Sequence, residues 1–234
     1  MLDSLNKCSY GVEAKLEEAF NSIGKKSGFV DIVARFAPYK EFKNTWKYSN
    51  KSIQFNISDY MKGASYEVLE DLAISLYSKL SENSRKTIYT PTLLSWLKSK
   101  EFIEQNQALY LHRSRNLSLD HQGEVYDLQD AYISLKDQGF VDDCPDAVLN
   151  WTIRNNRRRV GYCSILMQVV AISSILDSIA VPPYVSEYVL YHELLHLQDG
   201  FRPDRRYHNP DFRRRERLYP HWKESEEWLR RLSY

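Results

Sequence analysis

Apolar residues recur along this chain in two rhythms, and the switches between them mark out its elements. Val12–Ile23 carries the helical period and reads as a short amphipathic helix closed by Gly24. Phe29–Phe36 alternates, as a half-buried strand does. Trp46–Ser49 and Ser52–Ser58 read as a hairpin turning at Asn50-Lys51, with Ile53, Phe55 and Ile57 on one face. In Ser65–Leu80 the apolar positions Val68, Leu69, Leu72, Ala73, Leu76 and Leu80 return to helical spacing, giving a helix suited to backing a sheet. Thr92–Gln107 is read as helical, 112–124 as a polar loop and Val125–Lys136 as a further helix. Trp151–Asn155 and Gly161–Ser173 are read as strands on either side of a basic turn, and Asp211–Leu218 and Lys223–Leu232 as the last helices. The sequence displays no internal repeat, no low-complexity tract and no clear linker.

One helix stands apart. Pro182-Pro183 precede Tyr184–Asp199 and Gly200 follows, the expected start and stop signals. Val185, Val189, Leu190, Leu194, Leu195 and Leu197 make it apolar on most sides, so it is expected to be buried. Within it stands His192-Glu193-Leu194-Leu195-His196, an instance of H-E-x-x-H. Two histidines four residues apart lie one turn apart on one face and can reach a common metal ion. Glu193, between them, is placed to hold a water at that metal. Buried polar groups need partners, and a metal ion supplies one.

A catalytic zinc needs three protein ligands and an open position. His208, Asp211, Glu216 and His221 follow within reach. His208 is favoured, because the eleven residues between it and His196 allow a short excursion and return. Glu216 would give a two-His, one-Glu site, although its arginine-rich surroundings also suit an ion pair.

Arg159-Val160-Gly161-Tyr162-Cys163-Ser164 resembles the R-x-G-x-C-S signature of YgjP-like metallopeptidases. Ser186–Leu197 is similar to the "EYVxxHELxHL" helix of that family, and His208-Asn209-Pro210-Asp211-Phe212 resembles the H-x-x-x-F element shared with SprT-like proteins. The likeness runs from about Trp151 to Leu229. The spacer between His196 and His208 is closer to the SprT-like arrangement, and Val160 stands where the family often has Trp. The resemblance implies an α+β, zincin-like fold: a twisted sheet, a backing helix and the HExxH helix. It implies Zn2+ held by His192, His196 and His208, with Glu193 as general base in the hydrolysis of peptide bonds in a protein or peptide substrate. The expected organisation is one integrated domain over 1–234. Residues 1–110 would supply scaffold strands and the backing helix, and 150–234 the metal-site half.

Composition constrains this picture. The chain has 234 residues, 43% of them hydrophobic, and a formal net charge of +1, which argues against a globally basic nucleic-acid binder. Charge is nevertheless uneven. Arg157-Arg158-Arg159 forms one cluster, and seven arginines face three acidic residues between Gly200 and Arg217. That patch either contacts DNA or forms a solvated helix face paired with Glu224-Ser225-Glu226-Glu227. The alternative function is therefore a nucleic-acid-associated zinc protein with little turnover. Cys8, Cys144 and Cys163 form no C-x-x-C pair, and Cys163 reads as a small buried hydrophobe. A reduced, cytoplasmic setting without membrane association is expected: no signal-peptide core is evident, and the longest apolar run, Ile165–Val181, is broken by Gln168 and Asp177. Tyr162, Tyr207 and Tyr219 are candidate oxyanion donors. Ile165–Ser173 is a candidate cleft-edge strand to which a substrate could pair, or else an internal core strand.

Overall fold

A computed structural model describes residues 2–80, 89–203 and 207–232, with side chains from residue 11 onward. The chain divides into two compact units, Met1–Asn106 and Gln107–Tyr234.

In the first unit, helix α1 (Leu2–Lys26) packs on helix α2 (Tyr66–Leu80) and on strand β1 (Asp31–Ala37). Strands β2 (Thr45–Ser49) and β3 (Ser52–Ser58) form the expected hairpin. Asn50 takes a positive φ of 50°, which its short polar side chain tolerates. β3 lies in the middle of the sheet, parallel to β1 and antiparallel to β2. Its Ile53, Phe55 and Ile57 are buried, and the Phe55 ring meets Phe20 of α1 and Tyr77 of α2. Helix α1 does not stop at Gly24. A Cβ there would lie 2.2 Å from the Tyr77 hydroxyl and 2.6 Å from Ile32 Cδ1, so this glycine permits close packing inside the helix. The stretch read as one helix, Thr92–Gln107, is two: α3 (Pro91–Leu97), capped by Thr90, and α4 (Lys100–Arg113).

In the second unit, helix α5 (Leu128–Asp137) begins at Asp127, whose carboxylate accepts from the backbone N–H of Gln129 and Asp130. Three strands follow: β4 (Val148–Trp151), β5 (Gly161–Ser164) and β6 (Val169–Ile172). The stretch Gly161–Ser173 is thus a hairpin, not one strand. It reverses at 165–168, with Gln168 at a φ of 52°. β6 is central and fully buried, parallel to β4 and antiparallel to β5. Helix α6 (Pro183–Asp199) packs on β5, β6, α5, α7 (Pro210–Glu216) and α8 (Trp222–Leu232). Within this unit, β5, β6 and α5 are thus the strands and helix that back the HExxH helix. Among the described residues, no helix is long and apolar enough to cross a membrane.

The two units run through the same elements in the same order: helix, strand, hairpin, 3-10 turn, then three helices. The strand order and pairing senses also agree. β1 starts at Asp31 and β4 at Val148, β3 at Ser52 and β6 at Val169, α2 at Tyr66 and α6 at Pro183, so one interval separates these three pairs. At that interval Ser75, Leu76 and Lys79 stand where α6 has His192, Glu193 and His196. The chain thus repeats a topology that the sequence did not reveal, and residues 1–106 contain no histidine.

Candidate metal centre

α6 forms because apolar residues surround it and its ends are marked. Pro183 opens the first turn, and Gly200 closes the last with a φ of 65°, its N–H bonding to the His196 and Leu197 carbonyls. One face carries His192 and His196. The chain then leaves the helix and returns His208 to the same point, just ahead of α7. Asn209 caps that helix by accepting from Phe212 N at 2.9 Å.

The three imidazoles converge through Nε2. His208 Nε2 lies 3.1 Å from His192 Nε2 and 2.9 Å from His196 Nε2. Zinc–nitrogen bonds of about 2.0–2.1 Å in a tetrahedral site imply an N···N edge of about 3.3 Å. The donor set therefore fits a metal ion with little movement, and these three are the residues among those described that group to hold one. Burial pushes His196 down to about 3, aided by His192 and His208, and His208 is lowered for the same reasons. Both are neutral at neutral pH, the form that binds metal.

Two residues hold this arrangement from behind. Phe212 is fully buried and stacks on His196 with ring centroids 4.5 Å apart, presenting its edge region to His192 and His208 at 5.1 and 5.0 Å. This gives the H-x-x-x-F spacing a physical meaning: the first turn of α7 sets the wall against which the third histidine rests. Glu216, also buried, accepts from His192 Nδ1 at 2.5 Å and from Arg213 at 2.9 Å. Burial alone would raise its carboxyl, but these two donors hold it down at about 2. The bond to Nδ1 fixes the tautomer that leaves His192 Nε2 free for a metal. Glu216 thus contacts the back of a histidine. Asp211 pairs with Arg214 and Arg215, and the His221 ring lies against Tyr184.

Glu193 sits beside β5. A Cβ on Gly161 would stand 2.7 Å from Glu193 Oε1 and 2.8 Å from Val189 Cγ1, so only glycine lets the strand approach this closely. Burial pushes the Glu193 carboxyl up to about 7, with His192, Arg159 and a hydrogen bond from the Cys163 thiol acting in the opposite direction. A carboxyl poised there can both take and return a proton near neutral pH. Burial and the neighbouring Glu193 carboxylate raise the Cys163 thiol well above its usual range, so it remains a donor. Cys163 is therefore more than a small hydrophobe. Gly161 and Cys163 are two residues apart in β5, so strand alternation puts them on one face; that was the legible signal for this wall.

The arginine-rich stretch is largely paired within itself. Arg202 and Arg215 meet Asp199, Arg213 meets Glu216, Arg214 meets Asp211, and Arg217 stacks on Trp222. Among the described residues, no ion pair joins these arginines to the acidic residues at 224–227 that were expected as partners. Arg205 and Arg206, with Asp204, lie outside the described residues. Of the candidate oxyanion donors, Tyr219 is buried, its hydroxyl bonded to Glu187 and the Tyr184 carbonyl. Tyr162 lies under the Arg159 guanidinium, and the Tyr207 ring is 5.8 Å from His196. β6 is a core strand, and the sheet edge beside Glu193 is β5.

His192 and His196 on α6 and His208 just ahead of α7 thus form a group that could hold a metal ion, with the buried Glu193 beside it on α6. Residues 142–232 match the family model described as YgjP-like, metallopeptidase domain, so the resemblance carried by the motifs holds over that segment. The match takes in β4–β6 and α6–α8, hence every residue of the centre. Comparisons with curated proteins and with solved structures return no match.

Proposed function

We propose that the chain is a zinc-dependent peptidase with a zincin-like catalytic half. His192, His196 and His208 hold the metal, and Glu193 is the general base. The observation that carries this reading is the convergence of three Nε2 atoms beside a buried glutamate one residue along the same helix.

When bound, zinc supplies Lewis acidity that polarises a peptide carbonyl and makes water easier to deprotonate. The chain's own groups do the rest. Glu216 holds His192 in the productive tautomer. Glu193 receives the proton of the attacking water at its carboxylate and returns it to the leaving amine. Gly161 gives that carboxylate room, and the Cys163 thiol orients it. β5, at the edge of its sheet, accepts the substrate backbone as an added strand.

The test is cleavage of a denatured protein substrate by the zinc-loaded chain. Cleavage that stops on chelation and returns with zinc is expected. Cleavage indifferent to chelation, or none with zinc bound, would remove the peptidase reading.

A further inference from the structure

The centre opens into a recess that none of its chemistry uses. A cavity of about 480 Å³ runs from His192 and Glu193 toward α8, and neither His196 nor His208 lines it. Its apolar lining is Val160, Val189 and Leu229. Four guanidinium groups surround it: Arg158 and Arg159 ahead of β5, Arg213 on α7 and Arg230 on α8. In sequence Arg158 and Arg159 belong to one cluster, Arg213 to another and Arg230 to neither, and the fold brings them to one pocket.

Their charges are not equally committed. Arg213 is spent on Glu216, and Arg159 lies over the Tyr162 ring. Of the three acidic groups in the lining, Glu216 is taken by His192 and Arg213, Glu226 accepts from the Tyr188 hydroxyl at 3.4 Å, and Glu193 is the buried carboxyl of the centre itself. Arg158 and Arg230 are exposed and have no ion-pair partner among the described residues. Arg158 is held in place: Asn156 Oδ1 accepts from the N–H of both Arg158 and Arg159, and Asn156 N donates to Ser173 Oγ. Two free guanidiniums at the mouth of a pocket with an apolar floor match a carboxylate on a short aliphatic stem. Guanidinium recognises carboxylate with paired hydrogen bonds. A nucleic-acid backbone would instead follow an open groove of cations.

Building on the peptidase reading, we propose that this recess is a specificity pocket for a carboxylate. The residue it receives lies on the leaving-amine side of the scissile bond, because the pocket opens from Glu193, the group that delivers the proton there. The carboxylate comes from an Asp or Glu side chain or from the substrate's C-terminus.

The test uses zinc-loaded, full-length Glu193→Gln protein and fluorescence anisotropy. Four probes are compared: a peptide with central Glu and amidated end, its Gln counterpart, the Gln peptide with a free C-terminal carboxylate next to the same position, and a single-stranded oligonucleotide. Tighter binding of a carboxylate-bearing peptide over the amidated Gln peptide, by about tenfold, is expected from one charge-assisted contact. Arg158→Ala with Arg230→Ala, both exposed positions, should erase that difference while the melting temperature stays unchanged. Preference for the Glu peptide assigns the side chain as source, and preference for the free-ended peptide assigns the terminus. Equal binding of all three peptides overturns the proposal, as does a preference that survives the double substitution. Binding of the oligonucleotide in place of the peptides overturns it in favour of phosphate. The peptidase reading fails separately: the wild-type chain would bind the preferred peptide and leave it intact.

Discussion

Replacing Glu216 with alanine should weaken zinc binding without abolishing it. The carboxylate is buried and makes two bonds, to His192 Nδ1 at 2.5 Å and to Arg213 at 2.9 Å. Without it, the His192 ring can rotate and exchange tautomers, while His196 and His208 remain against Phe212. Loss of such an outer hydrogen bond costs about 10–100-fold in metal affinity, or roughly 1.4–2.7 kcal/mol. The fold should lose less, because the Arg213 side chain is 46% exposed and can return to water. Glu216→Gln should fall between, since its carbonyl can still accept from His192 while its amide faces the Arg213 donor. Competition against a chromogenic zinc chelator gives the affinities, and thermal melting of the metal-free proteins controls for folding. An affinity within twofold of wild type would refute the orienting role. Loss of binding as complete as in His208→Ala would make Glu216 a ligand and the site a two-His, one-Glu centre.

Gly161→Ala puts a Cβ within 2.7 Å of Glu193 Oε1, so turnover should fall roughly 10–100-fold at unchanged zinc content; wild-type turnover would contradict the close approach. Phe212→Ala removes a fully buried ring and should cost about 3–5 kcal/mol in urea denaturation, with weaker zinc binding as the histidines lose their wall; a loss under about 1 kcal/mol would disprove that packing role. Asp177 accepts from the backbone N–H of Glu124, Val125 and Tyr126, so Asp177→Ala should cost about 1–2 kcal/mol. Those three amides should then exchange faster with deuterium, whereas unchanged exchange would rule the anchor out.

Much of the centre was legible because its signals are local. His192, Glu193 and His196 share a helix with plain start and stop residues, and H-x-x-x-F tied His208 to the next helix. The hairpin 46–58 declared itself through clean alternation. What was not legible depends on approach between distant segments. Gly24 looked like a helix stop because a glycine that closes a helix and one that admits Tyr77 are identical in sequence. The run 161–173 looked like one strand because Ile165, Leu166 and Met167 continue its apolar character through the turn. Glu216 read first as an ion-pair partner and second as a ligand; the sequence could not show that one of its partners is His192 Nδ1, which depends on the approach of α7 to α6. The repeated topology stayed hidden because the two units share positions of elements while differing where α6 carries its chemistry.

The most direct measurement is zinc content and turnover together, on wild type and Glu193→Gln. The account predicts about one zinc per chain in both proteins and cleavage only in the wild type. Equal cleavage by both would contradict the role of Glu193, and wild-type protein that takes up no zinc would contradict the three-histidine centre itself.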